Sequence, residues 1–208
     1  VEVPGGMVII AANSVGQLMG SVIRNSGRIS TTRMVSNGGV IEIVAGDVTN
    51  SGTIVANSKA AVGNGGKISI QGDTVTLAST SKITANATNT GNGGTVSVLS
   101  NVMTSVAGTL QAMAGSVAGN GGFVETSSKQ QLTIAANTQV STSAPKGKVG
   151  TWLLDPQDLL IDAAAASVIS NALTNNDVVV QVTGNTCSGG ICTSGGSGNL
   201  TLALGANI

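Results

Sequence analysis

Short runs in which branched apolar residues alternate with polar ones recur along the chain. They read Met7-Val8-Ile9-Ile10, Val40-Ile41-Glu42-Ile43, Lys67-Ile68-Ser69-Ile70, Thr95-Val96-Ser97-Val98 and Phe123-Val124-Glu125-Thr126. Successive side chains of a strand face opposite sides. One inward column therefore collects Val8, Ile41, Ile68, Val96 and Val124, and the next collects Ile10, Ile43, Ile70, Val98 and Thr126. Glu42, Lys67, Ser69, Thr95, Ser97 and Glu125 fall on the solvent side, where Phe123 is an apolar exception covering the face beside Val40 and Met7.

Two further apolar signals follow each run. One lies nine residues after a glycine pair, at Val15, Val48, Val75 and Met103, with Leu132 one place later. The other is a small word with a branched residue at its centre and Ala or Thr at its end: Gly27-Arg28-Ile29-Ser30-Thr31, Gly52-Thr53-Ile54-Val55-Ala56, Ser81-Lys82-Ile83-Thr84-Ala85, Gly108-Thr109-Leu110-Gln111-Ala112 and Thr138-Gln139-Val140-Ser141-Thr142. The glycine pairs set the period. Their second members stand at 6, 39, 66, 94 and 122, which gives intervals of 33, 27, 28 and 28 residues.

Three short strands in about 28 residues describe one coil of a parallel β-helix, an all-β solenoid in which equivalent strands of successive coils pair. Five such coils rise about 24 Å at the usual spacing of paired strands. A propeller blade needs more residues and carries aromatic signatures that are missing here. The longer first interval predicts a looped-out insertion near Leu18 to Ser26. Coils with Asn-Gly-Gly corners are expected over 1–162, and 163–208 is expected to continue them with one short helix.

The glycine pairs predict tight corners at which Gly adopts φ > 0 before the chain enters a strand. Asn37, Asn64, Asn92 and Asn120 precede them and would stack as an Asn ladder along the solenoid. Calcium binding, as in glycine-rich β-rolls, would require an Asp after the glycines, and none of these corners has one.

Composition narrows the function. Aromatic content is 1% against 41% hydrophobic, so the interior must be built from Val, Ile, Leu and Ala. Nine basic and nine acidic residues cancel without forming runs, which leaves no seat for nucleic acid or an anionic membrane surface. No apolar stretch is long enough to span a membrane, and Val1-Glu2-Val3-Pro4 is no signal peptide. Cys187 and Cys192 flank Ser188-Gly189-Gly190-Ile191 and can close a small disulfide loop, which points to an oxidising compartment. Two free thiols in a surface loop are the other reading. With no His in the chain, two thiolates would leave a zinc half-ligated, and no metal or other cofactor is expected.

Gly121-Gly122-Phe123-Val124-Glu125-Thr126-Ser127, followed by Lys148-Val149-Gly150-Thr151-Trp152-Leu153-Leu154-Asp155-Pro156, closely resembles large exoproteins of the filamentous haemagglutinin and high-molecular-weight adhesin type. The resemblance implies a right-handed parallel β-helix, secreted to the bacterial cell surface by the two-partner route through a dedicated outer-membrane transporter. It further implies adhesion, with a glycan or protein receptor on host cells, on matrix or on other bacteria. Thr151, Trp152, Leu153, Leu154, Asp155 and Pro156 are the positions that carry the family motif. The amino-terminal secretion domain with its Asn-Pro-Asn-Gly type motif is missing, which implies an interior or carboxy-terminal portion. Ser128 stands where the family pattern has Gly, and the cysteine pair is not a general family feature.

Beyond Asp162, Ala163 to Leu173 reads as the one helix, with Val168, Ile169 and Leu173 on one face. Asp177 to Val182 and Asn199 to Leu204 resume as strands. The helix could plug one mouth of the solenoid or bulge outward. No polar cap is evident at either end, so a filament of copies stacked end to end is an alternative to a ligand-binding rod.

Parallel β-helices also include polysaccharide-degrading enzymes, and Asp155, Asp158 and Asp162 are the only local carboxylate cluster. Asp155-Pro156-Gln157-Asp158 is better read as a turn and Asp162 as a helix cap. A non-enzyme is therefore expected. Trp152 could offer a sugar-stacking platform, but its apolar flank Leu153-Leu154 favours packing in the interior.

Overall fold

A computed structural model describes residues 1–4, 6–12, 21–32, 38–182 and 198–208. The chain winds as a parallel β-solenoid of about six turns. One sheet runs through β1 (Met7–Ala11), β4 (Val40–Val44), β7 (Lys67–Leu77), β9 (Thr95–Val106), β11 (Phe123–Ile134), β13 (Thr151–Ile161) and β14 (Asp177–Val180), in that order. Beside its early strands lie β2 (Val22–Asn25) and β5 (Asp47–Asn50), and β15 (Leu200–Leu202) pairs with the end of β13. The second sheet stacks β3 (Arg28–Ser30), β6 (Thr53–Val55), β8 (Lys82–Thr84), β10 (Thr109–Gln111) and β12 (Gln139–Ser141). Past β3 it is prolonged by Glu2, which bridges to Ser30.

Register follows the hydrophobic columns. Val8, Ile41, Ile68, Val96, Val124, Trp152 and Val178 are aligned from rung to rung. Val8 is buried, and Ile41, Ile68, Val96, Val124 and Trp152 have no exposed surface. Ile43, Ile70 and Val98 form the neighbouring column, which is closed by Thr126 and Leu154. On the second sheet Ile29, Ile54, Ile83, Leu110 and Val140 are likewise aligned and buried. Phe123 is outward as expected and half-buried, but its neighbours along the column are Thr95 and Thr151; Val40 stands three rungs away and Met7 four.

Four expectations are corrected. First, three separate strands occur in the coil of β4, β5 and β6, whereas β7, β9, β11 and β13 each run the first two words together. The fused strands stay paired because the bend is taken up by register shifts at Gly72/Thr74 and Ser128/Gln131. Second, the inward residue of β9 is Thr104, which is aligned with Val75 and Leu132 and fully buried; Met103 is paired with Thr74 and half-exposed. An extra residue in β9 and β11 displaces the column by one place.

Third, Val22–Asn25 is no looped-out insertion. It forms β2, and Ile23 takes the place opposite Val48; Val15 lies outside the described residues. Fourth, the paired glycines of the corners do not have positive φ. Among the described residues positive φ belongs to Gly91, Gly119, Gly198 and Gly205. The pairs are there because nothing larger fits. A Cβ on Gly93 would stand 2.0 Å from the Ala112 carbonyl oxygen, and one on Gly94 would stand 2.0 Å from that of Gly66. Such contacts are far inside van der Waals distance.

The same close approach explains the Ala or Thr that ends each small word. Gly66, Gly94, Gly122 and Gly150 donate their N–H groups across the coil to the carbonyls of Ala56, Ala85, Ala112 and Thr142 at 2.7 to 2.9 Å. These four acceptor residues are fully buried. The intervening loops project as a ridge, stacked on one another through the bridges Ser58 to Ala87, Val62 to Thr90 and Thr90 to Ala118.

Helix α1 (Ala163–Ala172) settles the question of plug or bulge. Asp162 caps it by accepting the Ala165 N–H at 2.8 Å. Ala165, Ala166, Val168, Ile169 and Ala172 join the solenoid core, so the helix covers its mouth. Ala206 is buried in the same cluster, whereas the first sheet continues beyond the helix to β14, whose far edge has no strand partner among the described residues.

Candidate functional site

The Asn-Gly-Gly corners were one candidate. The Oδ1 of Asn64 accepts the Asn92 N–H at 2.8 Å, that of Asn92 accepts the Asn120 N–H at 2.8 Å, and that of Asn120 accepts the Lys148 N–H at 3.0 Å. The ladder thus runs from side chain to backbone, and Lys148 replaces Asn at its last rung. Asn37 lies outside the described residues, as do Cys187 and Cys192. A second ladder was missed in the sequence. Asn57 Oδ1 accepts the Asn86 N–H at 2.7 Å, and Asn86 Oδ1 accepts the Met113 N–H at 2.8 Å. Its signal was the Asn that follows the words ending in Ala56 and Ala85. Both ladders consume their oxygens in holding coils together, so they are structural.

The residues of the family motif lie in β13. Trp152 is inside, and its Nε1 donates to Thr126 Oγ1 at 3.0 Å. Leu154 is fully buried, while Thr151, Leu153 and Asp155 are outward and half-buried. Asp155-Pro156-Gln157-Asp158 is not a turn, because β13 continues through it. Pro156, aligned with Ser128, stands where the pairing with β11 slips, a place that tolerates the missing N–H.

The three carboxylates have separate structural duties. Asp158 Oδ1 accepts the Asn199 N–H at 2.8 Å, Asp162 caps α1, and the half-buried Asp155 has partners within the chain. Among the described residues no group of three His, Cys, Asp or Glu side chains could hold a metal ion. A buried hydroxyl cluster inside the coil is also internally satisfied. Ser100 Oγ donates to Ser128 Oγ at 2.9 Å, and Thr104 Oγ1 stands 2.8 Å from both Ser100 Oγ and the Ser127 carbonyl.

A concave surface lies among the described residues at the carboxy-terminal end of the second sheet. Where α1 passes the last strands of the second sheet, a groove of about 330 Å³ is lined by Thr109, Gln111, Gln139 and Ser141 from the sheet, by Asn171 from the helix and by Asn175 from the turn after it. Asn137 and Thr138 form the turn beside it, and Val140, Val168 and Ala172 contribute methyl groups. No charged side chain lines it. Sequence reading missed this groove, because it depends on how a helix is docked against strands far from it in the chain.

No protein-family model, curated protein or solved structure matches this chain.

Proposed function

We propose that the chain is a rigid segment of a secreted bacterial surface adhesin of the filamentous haemagglutinin type, used for attachment to cells, matrix or other bacteria. Export through an outer-membrane two-partner transporter belongs to the same proposal. The observation that supports it best is the placement of the two stretches that carry the resemblance. Gly121 to Ser127 and Thr151 to Pro156 become adjacent rungs, with Val124 beside Trp152 and Thr126 beside Leu154. The motif is thus a tight fit between coils, with Trp152 bonded to Thr126, and belongs to the mechanics of a rod.

A solenoid suits attachment because each coil adds length and an outward stripe without altering the interior. The three Asp side chains are occupied as described, which weighs against a glycosidase of paired carboxylates. A filament of end-to-end copies, the alternative, would have to accommodate α1 at the mouth it covers and pair along the edge of β14. Beads coated with the 208-residue chain test the reading. Saturable attachment to cultured cells or to matrix polysaccharide, competed by free chain, is expected; attachment no greater than that of uncoated beads would contradict it.

A further inference from the structure

We propose that the groove between α1 and the second sheet binds a short, neutral oligosaccharide. The proposal rests on the attachment reading for its biological setting, whereas the binding itself is argued from the groove. Its volume of about 330 Å³ lies at the lower end of ligand sites. The side-chain amides of Asn137, Gln139 and Asn171 have no partner among the described residues, and Gln111 spends only its Oε1, on Asn86 Nδ2 at 3.1 Å. Each carboxamide offers donors beside an acceptor, which matches the vicinal hydroxyl groups of a sugar. Val140, Val168 and Ala172 lie buried beneath these amides and form the floor of the groove.

Other ligand classes fit less well. Sulfated or carboxylated chains call for Lys or Arg, and the lining has neither. An extended peptide would seek unpaired strand groups on β12. There the Thr142 N–H and Val140 carbonyl are already taken by Asn176, at 2.6 and 3.0 Å. The walls are firm, since Val140, Val168 and Ala172 are anchored in the core beneath.

Saturation-transfer NMR and titration of the intact chain would test this with glucose, galactose and N-acetylglucosamine oligomers, alongside their sulfated and uronate counterparts. At least one neutral oligomer should bind saturably and more tightly than its acidic counterparts. Gln139→Ala and Asn171→Ala, both exposed, should weaken it about three- to tenfold each, the worth of one hydrogen bond. Gln71→Ala, on the first sheet, should change nothing. The proposal is overturned if no neutral oligomer binds, if acidic ones bind better, or if Gln139→Ala and Asn171→Ala bind as the parent does. Coated beads separate the two claims. Variants that lose oligosaccharide binding on a chain that never attaches would leave the groove standing and sink the attachment reading. Parent beads that attach while no neutral oligomer binds would do the reverse.

Discussion

Asn176 presents its side-chain amide to the edge of β12 as the backbone of a further strand would. Its Oδ1 accepts from the Thr142 N–H at 2.6 Å and from the Thr142 hydroxyl at 2.8 Å, while its Nδ2 donates to the Val140 and Ala172 carbonyls. It also occupies the place that Gly150 holds one coil earlier, since Asp177, the next residue, is aligned with Thr151. One residue thus ends the glycine column and satisfies the last strand of the second sheet.

Asn176→Ala should therefore lower stability by about 2–3 kcal/mol, because it strands buried donors and acceptors together. Asn176→Asp retains the acceptor but loses the donor and brings a charge into a buried site, so it should also be destabilising. Urea unfolding of both variants checks this. Equality with the parent would show that the edge is satisfied in some other way.

Crowding at the corners makes a sharper contrast. Gly94→Ala places a methyl group 2.0 Å from the Gly66 carbonyl oxygen, a backbone atom that cannot move without parting two coils. A loss of about 3 kcal/mol or more is expected. Gly27→Ala, whose nearest neighbour is Asn25 Oδ1 at 4.0 Å, should be neutral or stabilising by up to ~1 kcal/mol. Thermal melts of the pair distinguish crowding from a general intolerance of substitution.

Trp152, the only tryptophan, reports on the core directly. Its emission should be blue-shifted and move to the red when the chain unfolds. Thr126→Val leaves the Trp152 N–H buried without its acceptor and should cost about 1–3 kcal/mol. In the background of Trp152→Phe the same change should cost less, by a coupling of about 1 kcal/mol or more in a double-mutant cycle. Far-UV circular dichroism during denaturation provides a signal common to all four proteins.

The ladder should also protect its Asn-Gly bonds. Deamidation there begins when the Gly nitrogen attacks the Asn side-chain carbonyl carbon, closing a ring and releasing ammonia. The N–H groups of Gly65, Gly93 and Gly121 each donate to the next coil at 2.9 Å, and the Oδ1 of each preceding Asn is also engaged. Reaction must await local opening. Peptide mapping after incubation in mildly alkaline buffer should find deamidation at these sites at least about tenfold slower in native protein than in urea. Comparable rates would show that the corners open freely.

The columns were legible because period-two alternation in a strand is set by the backbone and needs no tertiary information. Ile41, Ile68, Val96 and Val124 were placed from that alone, and the 28-residue interval placed them beside one another. The chemistry of the glycine pair was not legible. A Gly demanded by φ and a Gly demanded by a neighbouring carbonyl look alike in sequence, and here the second cause governs Gly93 and Gly94. Thr104 was missed because an apolar Met103 stood next to it, and the interior of β9 accepts hydroxyls when Ser100 and Ser127 answer them. The Asp155 to Asp158 stretch read as a turn, but the local preference of Asp-Pro was outweighed by pairing with β11, and the strand runs on to pair with β15 at Leu159 to Ile161. The groove arises from docking of α1, which sequence periodicity does not encode.

The central claim is that residues one period apart stand one rung apart. Glu42, Ser69, Ser97, Glu125, Leu153 and Val179 form one outward column. With Cys187 and Cys192 replaced by Ser, spin labels can be set in pairs at Glu42 and Glu125, Glu42 and Leu153, and Glu42 and Val179. Backbone separations of about 14, 19 and 24 Å are expected, one strand spacing more for each coil. Double electron–electron resonance should therefore show mean distances that rise in equal steps of about 5 Å. Distances that fail to rise in that order would contradict the stacked register on which the rest depends.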